Sequence, residues 1–272
     1  MRKLAIPVAA LLVVALAPTP ALAVDKVNTK RLRDAVTVNS IMGHERVLQR
    51  IANQNGGTRA SGTPGYAASV AYVTQVLAQA GYRVTEQEFT FPFYRELAPA
   101  ELAQVSPTAT TYQTVTFDFS GSGEVTGQVV PVKDNLIPPP ATPGSTAGCQ
   151  ASDFTPAGPD PQIALIQRGT CEFGLKARNA QAAGYDAVII FNEGQPGRQD
   201  PFEGTLGGPV GIPVVGMSYA DGAALNAAAL AGEVTVRVKT TTEVDAAAKT
   251  SNVIADSPGG DANKVLVVGA HL

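Results

Sequence analysis

The chain has 272 residues, of which 44% are hydrophobic, enough for one large or two ordinary domains with a buried core. Its 20 basic and 23 acidic side chains leave a formal net charge of −3. That balance argues against nucleic acid and against anionic membrane as partners, because both are held by clustered Lys and Arg. Residues 1–23 have the layout of a secretory signal: Arg2 and Lys3, an apolar run from Leu4 to Ala17, and Ala21-Leu22-Ala23 as the cleavage site. The run is about 14 residues long, short of the roughly 20 needed to span a bilayer. No later segment approaches that length. The mature chain is expected to start at Val24 and to be soluble, secreted, extracellular and monomeric. Without Arg2 and Lys3, 18 of the 20 basic residues face 23 acidic ones, a net charge near −5.

In chain order, Asn28 to Val36 reads as a charged helical stretch, and Ser40 as the cap of a second helix carrying Val47, Leu48 and Ile51 up to Asn55-Gly56-Gly57. The clearest helix follows. Thr63 caps it, Pro64 fits its first position, and Tyr66, Val70, Val73, Leu77 and Ala80 make an apolar stripe that Gly81 ends. Tyr82 to Phe93 alternates as a strand. Leu102 to Val105, Tyr112 to Phe119 and Glu124 to Val132 are short runs rich in Thr and Val, the pattern of a β-rich module, and Asn135 to Pro161 is crowded with Pro and Gly. A β-α-β run comes next: strand Gln162 to Gln167, a helix capped by Thr170, and strand Asp186 to Phe191. Ile212 to Met217 is a strand, Ser218 and Asp221 form a capping box for an alanine-rich helix ending at Gly232, and Val234 to Lys239 is a further strand. Thr240 to Thr250 reads as a polar linker and Asn252 to Ala255 as a strand. Val265 to Val268, four aliphatic residues before Gly269-Ala270-His271-Leu272, predict a strand buried on both faces that carries His271 at its carboxyl end.

Two segments resemble known families. Ile163 to Asn192, with Gly211-Ile-Pro-Val-Val-Gly-Met217, resembles the protease-associated (PA) domain, a module inserted in secreted peptidases and some receptors. The flanks resemble the secreted di-zinc aminopeptidases: Asn55-Gly-Gly-Thr-Arg-Ala-Ser-Gly-Thr-Pro-Gly-Tyr66, Ala80-Gly-Tyr-Arg-Val84, Ser251-Asn-Val-Ile-Ala255 and Val267-Val-Gly-Ala-His-Leu272. The resemblance implies an α/β fold, an incomplete αβα zinc-peptidase domain with an inserted β-rich PA domain. The expected division is 1–23 signal peptide, 24–98 first part of the peptidase domain, 99–245 inserted PA domain and 246–272 the start of the remaining peptidase domain. In the family the Gly-Ala-His-Leu run continues into an aspartate that bridges two metals. Leu272 stands one position before it, so His271 is the one metal-site residue that carries over. Peptides are the implied substrates and zinc the implied cofactor, two ions in a complete enzyme and none expected here. A non-catalytic PA-domain binding module is the alternative. A third reading, a subtilisin-like protease carrying the same insert, fails because the flanks follow the aminopeptidase pattern.

The residues alone carry little catalytic chemistry. A catalytic zinc needs about three protein ligands and an open position, and this chain has two histidines. Cys149 and Cys171, in an exported chain, are expected to form one disulfide closing a loop of about 22 residues, worth roughly 3 kcal/mol in chain entropy. Their spacing lacks the nearby His of a zinc site. No G-x-S-x-G elbow and no Walker loop are present. His44 reads as an ordinary polar residue at a helix start, and Gly56 to Gly65 as a connector. Arg168, Glu172, Lys176 and Arg178 read as the solvated face and cap of one helix, and Phe191-Asn192-Glu193-Gly194 as a rim facing a substrate.

Overall fold

The computed structural model describes residues 28–272, and the signal-like segment at 1–23 lies outside the described residues. The chain divides into two compact units, one ending at Arg50 and the other beginning at Ile51. In the first, α1 (Lys30–Ala35) carries a Lys30–Asp34 ion pair at 2.5 Å one turn apart. It is followed by α2 (Val38–Gln54). The cap of α2 is Thr37 rather than Ser40. The Thr37 hydroxyl accepts the Ser40 N–H and the Ser40 hydroxyl accepts the Thr37 N–H, each at 3.2 Å. Ser40 is thus the reciprocal third residue of a capping box, and the helix starts earlier than its own side chain suggests.

The second unit opens with α3 (Pro64–Gln79), which begins as read from sequence: the Thr63 hydroxyl accepts the Tyr66 N–H and Pro64 sits in the first turn. Eight strands follow: β1 (Arg83–Ser106), β2 (Thr110–Tyr112), β3 (Thr114–Thr116), β4 (Gly123–Pro131), β5 (Gln162–Gln167), β6 (Ala187–Phe191), β7 (Val214–Met217) and β8 (Thr235–Asp256). α4 (Phe173–Ala182) joins β5 to β6, and α5 (Tyr219–Ala231) joins β7 to β8. They make one sheet in the order β2-β1-β8-β4-β5-β6-β7-β3, parallel from β4 to β7 and antiparallel elsewhere. The sheet curls until Thr116 of β3 donates to Glu96 of β1 at 2.6 Å, so its two edges nearly meet.

Burial follows from the aliphatic runs. Ile163, Ala164, Leu165 and Ile166 of β5 are all fully buried, as are Val188 and Ile189 of β6, because each strand feeds two clusters by alternation. Ala164, Ile166, Val188 and Ile190 pack with Ala177 and Ala180 of α4. Ile163, Leu165, Ile189 and Phe191 pack with Leu225 of α5 and with Val236 and Val238 of β8.

Three expectations are corrected here. Thr240 to Thr250 is not a linker. It is the middle of β8, paired from Thr241 with Ala98 to Thr250 with Phe89, and backbone pairing makes it a strand whatever its side chains. β1 likewise merges the two strands read at Tyr82 to Phe93 and Leu102 to Val105, with register shifts beside Pro92 and Pro99, which have no N–H to give the ladder. Val265 to Val268 is neither strand nor buried: these residues are 73–88% exposed in an irregular segment, because no strand among the described residues pairs with it. The expected domain edges at 98 and 245 fall inside β1 and β8.

The approach of α5 to β6 depends on Gly222, where an added Cβ would stand 2.2 Å from the Phe191 Cβ. Gly222→Ala is therefore expected to destabilise the unit by about 3 kcal/mol through overpacking, read as a lower urea midpoint at unchanged slope.

Candidate functional site

Where β5, β6 and β7 end, side by side and parallel, the chain places a polar cluster, the position in an α/β sheet where ligand-facing groups gather. Gln167 ends β5 and is almost fully buried. Its Oε1 accepts the Leu136 N–H at 2.6 Å and its Nε2 donates to Leu136 O at 3.1 Å, so one side chain imitates a strand partner for the loop above it. Asn192 follows β6, donates to Asp200 O at 2.8 Å and accepts from the Glu193 N–H at 3.0 Å and from Arg168 at 3.5 Å.

Glu193 is buried with its Oε2 on Arg198 at 2.5 Å, while its Oε1 and the Gln195 Oε1 lack a hydrogen-bond partner among the described residues. Arg168 lies over the Phe202 ring at 4.8 Å and the Phe173 ring at 5.8 Å. Burial first, and then the like charge of Arg198, push the Arg168 guanidinium below its ordinary value, with Glu193 opposing. Beside this cluster a pocket of about 470 Å³ is lined by Gln113, Gln199, Asp200, Ser218, Tyr219 and Asp221. Ser218 caps α5 there, accepting the Asp221 N–H at 3.1 Å and donating to the Asp221 carboxylate at 2.7 Å.

Lys176 overturns the reading of α4 as a helix with a solvated charged face. It is completely buried, and its ammonium donates to Ala147 O and to Gln167 O, the latter at 3.1 Å. Burial pushes the Lys176 ammonium down to about 8, with Glu193 and Asp153 acting the other way. Thr170 does not cap α4. Its N–H donates to Ser145 O at 3.0 Å, and Glu172 stands at the N-cap without a side-chain bond. Cys149 and Cys171 are joined by a disulfide of S–S length 2.08 Å that ties the proline-rich loop to the start of α4. The proximity of Lys176 to this loop was invisible in sequence, since a Lys at that helical position looks like any surface cation.

His271 lies exposed in the irregular segment after Val268. Among the described residues, no group of three or more His, Cys, Asp or Glu is placed to hold a metal ion. The described residues by themselves therefore do not assemble a zinc site.

Comparison with known proteins gives the geometry its context. A family model described as the PA domain matches residues 125–225, the stretch from β4 into α5. An aminopeptidase of Pseudomonas aeruginosa is 42% identical over 238 residues, 83% of this chain and 42% of its own length. Residues 125–225 thus match the PA domain, and most of the chain is similar to aminopeptidases. A probable lipoprotein aminopeptidase, LpqL, of Mycobacterium tuberculosis is 33% identical over 89% of this chain and 45% of its own length. Among solved structures, an aminopeptidase from Aneurinibacillus sp. strain AM-1 superposes with a TM-score of 0.58 at 30% identity, covering 82% of this chain and 49% of that one. The chain thus spans less than half the length of these relatives.

The buried ammonium makes a pH prediction. A lysine held near 8 in the fold and near its ordinary 10.5 when unfolded binds more protons in the unfolded state between those values, so its burial cost fades as pH rises through that window. Relative to Lys176→Met, the native chain should gain about 3 kcal/mol of unfolding free energy between pH 7.5 and 10.5. Chemical denaturation of both proteins across that range measures it, and parallel curves would contradict it.

Proposed function

We propose that this chain is the amino-terminal part of an exported zinc metallo-aminopeptidase, with its PA domain forming a lid over the active site that limits access to short peptides. The observation that supports the reading most is that the similarity to aminopeptidases does not stop at the PA domain: it runs through 83–89% of the chain, flanks included. The signal-like layout of residues 1–23 fits export. In this reading His271 is a zinc ligand of the complete enzyme and the rest of the ligand set comes from sequence outside this chain. Zinc in such a site would polarise the scissile carbonyl and activate water. The chain's own residues supply the fold around it: α3 and the β1–β8 ribbon as scaffold, and the polar cluster and pocket at the ends of β5 to β7 as the face that meets a peptide.

The second reading, a non-catalytic binding module, is favoured by one observation. Both hydrophobic clusters draw their buried members from residues 102–238, so the PA region has a core of its own.

The 272-residue chain, purified with zinc, is expected not to hydrolyse an aminoacyl-nitroanilide. Joining the carboxyl-terminal portion of the Pseudomonas aeruginosa aminopeptidase after Leu272 should restore zinc-dependent hydrolysis, and His271→Ala in that fusion should lower it roughly 100-fold or more, beyond what loss of an outer partner costs. Hydrolysis by the chain alone, or a fusion indifferent to His271, would overturn the proposal.

A further inference from the structure

The Cys149–Cys171 disulfide and the buried Lys176 form a unit for which the peptidase reading has no use. We propose that this disulfide is a thiol–disulfide exchange site for dithiol reductants, in which Cys171 is the sulfur attacked and Cys149 leaves as a thiolate held by Lys176.

The two sulfurs differ in how well each is placed to carry negative charge. The Lys176 Nζ lies 3.9 Å from the Cys149 Sγ at the edge of the core, and a partly buried pair of this kind is screened much less than one at the surface. A cation in contact lowers the pKa of the thiol that forms beside it, and in exchange the sulfur with the lower thiol pKa leaves faster. Cys171 has the weaker claim. It sits one residue before Glu172, the N-cap of α4, where the helix offers about half a charge that fades beyond the first turn and the Glu172 carboxylate opposes it. A full charge at 3.9 Å outweighs that. Both cysteines are half-buried rather than sealed in the core, so the bond lies at the rim of the packed unit.

The step balances as an ordinary exchange. A reductant thiolate attacks the Cys171 Sγ, the bond between the two protein sulfurs breaks, and its electron pair goes to the Cys149 Sγ, which rests against the Lys176 ammonium. The second thiolate of the reductant then attacks its own sulfur in the mixed disulfide and expels the Cys171 thiolate, which takes a proton from water. The reductant departs as a disulfide, two electrons poorer, and the protein holds the Cys149 thiolate and the Cys171 thiol.

Reduction leaves the loop in place because other bonds already hold it. The Thr170 N–H donates to Ser145 O and the Asn179 Nδ2 to Gly148 O, each at 3.0 Å, and Lys176 holds Ala147 O. The two segments also lie so close that a Cβ at Gly169 would stand 1.9 Å from Ser145 O. The cysteines therefore stay within reach of one another and the bond can re-form.

The test uses the full 272-residue chain. Brief reaction with limiting glutathione at pH 7, an acid quench and peptide mapping should find glutathione on Cys171 and Cys149 open to alkylation, by about 10 to 1. Glutathione on Cys149, or on both equally, would overturn the proposal without recourse to any variant. Lys176→Met should slow reduction by dithiothreitol about 10-fold and erase the preference, in a variant confirmed as folded by a cooperative melt. An unchanged rate and preference in that variant would also overturn it. Neither outcome touches the peptidase reading, which is tested by hydrolysis alone.

Discussion

The pairing of β1 with β8 is the constraint that the rest of the second unit obeys. The ladder runs from Arg83 opposite Asp256 to Ser106 opposite Thr235, so two segments more than a hundred residues apart are held side by side over their whole length. Everything between Ser106 and Thr235 is closed off as an insert whose ends meet. Closing so long a loop costs chain entropy that grows only with the logarithm of its length, and the long ladder together with the two clusters above it offsets that cost. The clamp also explains why a sheet can serve an inserted module and its flanks at once. β8 pairs with β1 along its whole length and, on its other side, with Gly123 to Gln128 of β4 at its start, passing from the insert's core to the flanking ribbon without a break.

Inside the insert the order is set by polar groups as much as by aliphatic ones. Gln167 and Lys176 are both almost or fully buried, and each binds backbone from the loop between Val132 and Cys149. That loop is crowded with proline and glycine and has little regular structure of its own, so its carbonyls and N–H groups must be satisfied from outside. A buried ammonium is costly, and the carbonyls it serves are what make it tolerable. The same logic places Asn192 between Asp200, the Glu193 N–H and Arg168. The cluster at the strand ends is therefore part of what shapes the loops around the pocket, and its geometry cannot be separated from theirs.

How much of this could be read from the amino acids depends on whether the cause is local. α3 was legible because a cap, a proline and a terminating glycine all lie within its own sequence, and so were β5, β6 and α5. Thr240 to Thr250 was not, because its extended state comes from Phe89 to Ala98, some 150 residues away, while its own composition resembles a linker. Lys176 failed for a related reason: what buries it is the loop around Ala147, which no helical periodicity reports. The resemblance to aminopeptidases was legible from short motifs in the flanks and is matched by the comparisons over most of the chain. Of a metal site the sequence offered one candidate, His271, as what the resemblance implies, and no metal-holding group of His, Cys, Asp or Glu forms among the described residues.

The two halves of the second unit differ in how completely they satisfy themselves, and that difference bears on function. In the PA region β5, β6 and β7 are buried along almost their whole length, and Phe117, Phe191 and Leu225 are fully or almost fully buried. In the flanking ribbon, residues 83–91 of β1 and 248–256 of β8 pair only with each other among the described strands, and a two-stranded ribbon is marginal in water without a third strand or a helix. α3 supplies some cover, with the Tyr66 hydroxyl donating to Ser251 O at 2.7 Å, yet Phe89 and Ile254 remain 41% and 42% exposed and Val265 to Val268 more so. A binding module complete in itself has no reason to keep such a ribbon beside a run of bare aliphatic residues. Exposed apolar flanks of this kind mark surface made to be covered, and this physical asymmetry weighs on the same side as the sequence likeness to aminopeptidases.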